Sequence, residues 1–123
     1  MIKGIGTDLI EIFRIEKTLN KYNDRFINKV FTINEQKYCK KFVRNFSKFA
    51  NRFTCKEAVS KALGLGIGYH DWKDIEILNN ANGKPYIVLH RKAKEYFDSI
   101  NGEKIYISIS DSQDYSVAFC VIE

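Results

Sequence analysis

Apolar residues crowd the start of the chain, where IKGIGTDLIEI at residues 2–12 sets Ile and Leu at short spacing around two glycines. The pattern predicts a buried strand that another backbone or a ligand can approach closely, with Asp8 on the face shared by Gly6 and Ile10. From Arg14 to Tyr22, and again from Arg25 to Val30, apolar positions recur at helical spacing, and Asn23-Asp24 offers a break and an N-cap between them. TINE at residues 32–35 is a capping box that predicts a helix over 34–43. The strongest helix covers residues 46–63. There Phe46, Phe49, Ala50, Phe53, Ala58, Ala62 and Leu63 keep one side apolar, and Gly64 supplies a stop. A glycine-rich loop, GLGIGYHD, follows.

Past that loop the period shortens. DIEIL at 74–78 and PYIVL at 85–89 flank NNANGK, whose Asn82-Gly83 pair signals a hairpin. A helix over 91–99 comes next, and IYISIS with YSVAFCVI forms a second hairpin around Asp111-Ser112-Gln113-Asp114. The sum is an α+β fold: one compact domain over residues 1–123, its helical half packed on a mostly antiparallel sheet. A hydrophobic fraction of 45% supplies a core, and one proline with seven scattered glycines leaves no linker or repeat.

A net charge of +5 implies an anionic partner without choosing among nucleic acid, a phosphorylated cofactor, an acidic protein and a membrane surface. The excess sits in the first half, where Arg14, Lys17, Lys21, Arg25, Lys29, Lys37, Lys40, Lys41, Arg44, Lys48 and Arg52 fall at roughly helical intervals, as either a solvated face or a docking surface. Cys39, Cys55 and Cys120 have no metal-binding spacing and read as buried or half-buried free thiols in a reducing compartment. Asp8 interrupts the N-terminal apolar run before a signal peptide can form, and no stretch approaches the roughly 20 apolar residues that span a bilayer. A soluble, cytoplasmic protein with no membrane partner is expected.

Two stretches could carry chemistry. GIGTD at 4–8 fails as a dinucleotide fingerprint because Leu9 stands where the third glycine belongs. Asp8 can instead be an ordinary exposed strand carboxylate or one oxygen ligand of a hard cation. In FTCKEAVSKALG at 53–64, Glu57 and Lys61 could be a surface ion pair contributing about 0.3–0.5 kcal/mol. Alternatively Asp8 and Glu57 hold Mg2+, which takes one or two carboxylates and fills its other positions with phosphate and water, while Lys56 and Lys61 neutralise phosphate charge. His70 and His90 stand alone and read as surface or loop residues, Trp72 as core margin, and Asn82-Gly83-Lys84-Pro85 as a turn that can also hold a phosphate.

GIGTDLIEI followed by Arg14-Ile15, RFTCKEAVSKALGLGIG, NGKPY and ISISDSQDYSVAFCVIE together resemble the holo-acyl-carrier-protein synthase family, the short bacterial 4′-phosphopantetheinyl transferases. The resemblance spans essentially the whole chain. It implies Mg2+-dependent transfer of the phosphopantetheine arm from coenzyme A to a serine of apo acyl carrier protein, with release of adenosine 3′,5′-bisphosphate, in support of fatty acid biosynthesis. By the same resemblance Asp8 and Glu57 are metal ligands, Lys61 lies near the pyrophosphate, and Gly64, Asn82, Gly83, Lys84 and Pro85 lie near the nucleotide. Arg14, with Lys21 and Arg25 on the basic helices after it, receives the acidic helix of the carrier protein. A homotrimer with active sites between subunits is also implied.

The chain departs from that pattern at two positions. Asp111 stands where some members have histidine, so Glu57, Asp111 or a metal-bound water is left to take the serine proton, and Ile10 replaces the third carboxylate of longer transferases. The competing class is a small basic RNA- or DNA-binding module, which lacks a nucleic-acid motif and leaves Asp8 and Glu57 unused; no nucleic-acid partner is expected.

Overall fold

Strand Gly4–Glu11 (β1) runs against helix Phe46–Leu63 (α4), and two glycines let the backbones touch. In the computed structural model, which describes the chain except Ile67 and Tyr69, a Cβ at Gly4 would stand 1.8 Å from the Ala62 carbonyl oxygen. One at Gly6 would stand 2.0 Å from that of Ala58. Both neighbours are main chain and cannot swing aside, so only glycine fits.

Helices Ile12–Tyr22 (α1), Asp24–Val30 (α2) and Ile33–Cys39 (α3) lie between β1 and α4 in the chain. Asn23, at φ 45°, makes the break between the first two. Their apolar sides, including Ile15, Leu19, Ile27 and Val30, close with Phe31, Phe49 and Ala50 into one half of the core. The capping box forms: Glu35 N–H donates to Thr32 Oγ1 at 3.2 Å and Thr32 N–H to Glu35 Oε1 at 2.9 Å. Helix α3 ends at Cys39, short of the expected 43, because the chain tightens there. Lys41 N–H reaches Tyr38 O, Phe42 N–H reaches Cys39 O, and the Phe42 ring folds back to 5.4 Å from Tyr38.

Strands Ile75–Asn79 (β2) and Pro85–Leu89 (β3) form the first hairpin, helix Arg91–Ser99 (α5) follows, and Ile105–Asp111 (β4) with Tyr115–Ile122 (β5) forms the second. Asp111 therefore closes the strand, and the turn covers 112–114. The antiparallel order β1-β5-β4 makes one sheet and β2-β3 a separate ribbon, confirming the α+β class. Helix α4 packs on both: Cys55, Val59, Ala62 and Leu63 meet Ile75, Ile77 and Phe97 as well as Ala118, Cys120 and Ile122. Gly64 ends it at φ 78°, with its own N–H on Lys61 O and that of Leu65 on Ser60 O, the paired bonds of a left-handed helix stop. The expected glycine-rich loop over 64–71 includes Ile67 and Tyr69, which lie outside the described residues.

Among the described residues no helix is long and apolar enough to cross a membrane. Cys39, Cys55 and Cys120 are free and buried, and burial pushes each thiol up to about 12, which leaves them unreactive packing groups.

Candidate functional site

The close approach of β1 and α4 brings two carboxyl groups together. Asp8 projects from the α4 side of the sheet, opposite Ala118 of β5, and Glu57 comes from the facing turn of α4. Burial and then the adjoining Asp8 carboxylate raise Glu57 to about 7, although Lys61 acts in the other direction. Lys61 reaches across to β1: its Nζ lies 3.2 Å from Asp8 Oδ1 and 3.1 Å from Thr7 O. The side chain of Lys61 is 57% exposed and that of Asp8 only 11%, so the cluster opens to solvent on the lysine side.

Two like-charged groups held side by side by rigid backbone are unfavourable unless a proton or a cation is shared between them. Among the described residues no group of three or more His, Cys, Asp or Glu forms a closed cage. Two carboxylates at an open edge suit Mg2+, which retains water and takes substrate phosphate oxygens. The donor set therefore fits that ion.

Thr54, which the sequence reading passed over, completes the cluster: its hydroxyl donates to Asp8 Oδ2 at 2.7 Å. Asn51 was passed over as well. It accepts from Ser116 Oγ at 2.6 Å and donates to Asp111 Oδ2 at 2.8 Å. Asn51, Thr54, Glu57 and Lys61 follow one another at helical intervals toward the sheet, so a polar stripe was available as a signal.

Asp111 is not brought to the carboxylate pair within the chain. Its neighbour across β5 is Ser116, two residues along that strand from Ala118, which faces Asp8. Gly64 closes the helix that carries Lys61. Asn82, Gly83 and Lys84 are exposed at the tip of the β2-β3 ribbon, with Pro85 opening β3. Gly83 takes φ 84°, and Asn80 Oδ1 accepts the N–H groups of Asn82 and Lys84 at 2.9 and 3.0 Å. Arg14, Lys21 and Arg25 are exposed on α1 and α2.

Several sequence expectations are corrected. Lys56 is not available to phosphate: it is fully buried, 2.8 Å from the equally buried Glu35, and donates to the carbonyls of Trp72 and Ile75. Arg52 is also buried, over the Tyr38 ring and on Asn79, and so leaves the basic face. His70 is buried with Nε2 2.9 Å from Ser60 Oγ, and His90 is half-buried with Nε2 3.0 Å from Glu76 Oε1. Neither histidine is a free surface group. Lys61 pairs with Asp8 of β1 in place of the expected ion pair with Glu57, whose carboxyl adjoins the same Asp8.

Comparison with known proteins shows the family and the fold. A family profile described as the 4′-phosphopantetheinyl transferase superfamily matches residues 4–120. The holo-[acyl-carrier-protein] synthase of Alkaliphilus oremlandii is 48% identical over 118 residues, 96% of each chain. That of Protochlamydia amoebophila is 48% identical over 122 residues, 98% of each. Among solved structures, the Neisseria meningitidis holo-[acyl-carrier-protein] synthase superposes with a TM-score of 0.91 at 31% identity, covering 100% of this chain and 99% of that one. The Helicobacter pylori enzyme in complex with coenzyme A gives 0.86 at 33% identity, covering 97% and 99%.

Proposed function

The chain belongs to the 4′-phosphopantetheinyl transferase superfamily, and on that premise we propose that it moves the 4′-phosphopantetheine arm of coenzyme A to a serine of an apo acyl carrier protein, releasing adenosine 3′,5′-bisphosphate. Asp8 and Glu57 would hold Mg2+, whose chemistry here is to neutralise pyrophosphate charge and polarise a phosphoryl oxygen. The serine oxygen forms a bond to the β-phosphorus, and the bond from that phosphorus to the bridging oxygen breaks. The leaving bisphosphate carries away the electron pair. Lys61, exposed at the open edge, offsets the negative charge that grows on the leaving side. Of the carboxylates considered for the serine proton, Glu57 stands in the cluster and Asp111 does not, so Glu57 is given that role.

The observation that carries this reading is the convergence of Asp8, Glu57 and Lys61 from two elements locked together by Gly4 and Gly6. Gly64, Asn82, Gly83, Lys84 and Pro85 are given to the nucleotide, and Arg14, Lys21 and Arg25 to the acidic carrier. The single domain would assemble as a homotrimer in the cytoplasm and serve fatty acid synthesis. The sheet face away from α4 supports assembly, since it leaves Ile5, Leu9, Tyr106, Val117 and Phe119 exposed as an apolar surface. The test is to incubate the protein with apo carrier protein, coenzyme A and Mg2+ and to weigh the carrier by mass spectrometry. One phosphopantetheine arm should be added, and none with chelator or with Asp8→Ala. Undiminished transfer by Asp8→Ala would overturn the site.

A further inference from the structure

Asp8 uses its two oxygens differently, and Thr54 is the reason. Thr54 is completely buried one turn before Glu57 on α4. A threonine inside a helix commonly turns its hydroxyl back to the carbonyl four residues earlier. Here it reaches across to β1 and lies 2.7 Å from Asp8 Oδ2, while Oδ1 faces the solvent-side ammonium of Lys61 at 3.2 Å. A buried hydroxyl with no acceptor is costly, so the contact holds the carboxylate in one rotation about its terminal bond. Oδ2 is thereby turned to the protein, and Oδ1 is the oxygen that already faces a cation, the Lys61 ammonium.

We propose that Thr54 makes Asp8 a one-oxygen ligand and so sets the cation preference of the site toward small octahedral ions, Mg2+ and Mn2+, against Ca2+. The inference rests on the metal-site reading above and adds a residue to it. Ca2+ takes six to eight oxygens and commonly draws both from a carboxylate, whereas Mg2+ takes few carboxylate oxygens and keeps its water. With Oδ2 turned to the threonine, chelation of one ion by both Asp8 oxygens would set the hydroxyl and the ion in competition for Oδ2, a cost that falls on Ca2+ and not on Mg2+. Thr54 touches neither substrate nor reacting atoms. Its role is positioning.

The experiment uses Mn2+ as the probe, with the metal-depleted full chain and coenzyme A, reading free Mn2+ by its paramagnetic resonance signal and displacing it with Mg2+ or Ca2+. Wild type and Asp8→Ala establish which binding belongs to the site. Thr54→Val, nearly isosteric, should bind Mn2+ and Mg2+ about tenfold more weakly, the low end for losing the partner of a ligating carboxylate, and Ca2+ should displace Mn2+ from it better, relative to Mg2+, than from wild type. Thr54→Ser should restore both affinity and the Mg2+ to Ca2+ ratio. Thr54→Ala is read in place of the valine variant if that chain does not fold. Asp8-dependent binding with an unchanged Mg2+ to Ca2+ ratio in the hydroxyl-less variant would overturn the role of Thr54 alone. Binding that is the same in wild type and Asp8→Ala would overturn the metal-site reading, and this inference with it.

Discussion

Lys56 and Glu57 are consecutive on α4 and leave it on different sides: Lys56 ends 2.8 Å from Glu35 in the interior, and Glu57 adjoins Asp8 at the sheet. One residue of helix turns the chain by about 100°, enough to separate a structural cation from a functional carboxylate. The two belong to different networks and should fail in different ways.

Lys56→Met leaves Glu35 in the core without its cation. It should cost about 3–5 kcal/mol of stability, the usual penalty for breaking one side of a buried pair. Combining it with Glu35→Leu should cost less than the sum of the single changes, even though Glu35 also accepts the N–H groups of Thr32 and Ile77. Urea denaturation of the four chains measures the coupling, and strictly additive losses would contradict it.

Gly6→Ala should be worse than its size suggests, because the added methyl meets the Ala58 carbonyl at 2.0 Å. Relief requires moving β1 off α4, which separates Asp8 from Glu57. A stability loss at or beyond the upper end of about 1–3 kcal/mol for overpacking is expected, with weakened Mn2+ binding in whatever fraction folds. Gly83→Ala, where nothing lies within 4 Å, meets only the strain of φ 84° and should lose about 1 kcal/mol.

The raised Glu57 value gives the metal-free protein a pH signature. Between the ordinary carboxylate value, 4.5, and about 7 the folded chain keeps a proton that the unfolded chain has released. Stability should therefore fall as pH rises through that window and level off above it. Glu57→Gln should remove the slope. Mg2+ must displace the proton, so its apparent affinity should climb with pH up to about 7 and by at most about tenfold per unit. Urea melts in chelator, from about pH 5 to about pH 8, report the first effect. A wild-type slope identical to that of Glu57→Gln would refute it.

Arg14 is exposed, with Glu11 at 3.9 Å as its nearest acidic neighbour. Reversing it, Arg14→Glu, should raise the KM for carrier protein about three- to tenfold and leave the KM for coenzyme A unchanged, with the difference shrinking as salt is added. Equal losses for both substrates would mean a folding defect.

Phe119 faces outward from the central strand, opposite Thr7 and Ser108. Phe119→Glu should leave the fold intact and convert the proposed assembly to single chains in light scattering, with activity falling in step if sites are shared between subunits. A wild-type chain that is already a monomer would contradict the assembly.

Local chemistry was legible in the sequence. The capping box at Thr32, the Asn82-Gly83 turn and the glycine stop at Gly64 each depend on a few adjacent residues, and each is present. The Asp8 and Glu57 pairing was one of two open readings of the residues until the family resemblance favoured it, because residues 49 positions apart carry no periodic signal of their meeting. Lys56 misled because α4 is packed on two sides. Its apolar positions do not define a single buried stripe, and a lysine reads as exposed unless its distant partner is known. His70 and His90 misled for the same reason, since Ser60 and Glu76 reach them through folding. The polar stripe of Asn51, Thr54, Glu57 and Lys61 was visible, yet only the register of β1 shows what it faces.

The sheet order β1-β5-β4 has a consequence for how the molecule comes into being. Strands Gly4–Glu11 and Ile105–Asp111 both hydrogen-bond to Tyr115–Ile122 and are not neighbours of each other. On a ribosome, the earliest strand has no sheet partner until the latest of the three has emerged. Loop closure on that scale is slow, and the open edge of β1 is a hazard for as long as it lasts. Helix α4, synthesised in between, is the main partner that β1 can find sooner, through Gly4 and Gly6. The same contact that later sets the spacing of two carboxylates first serves as a shelter for a nascent strand.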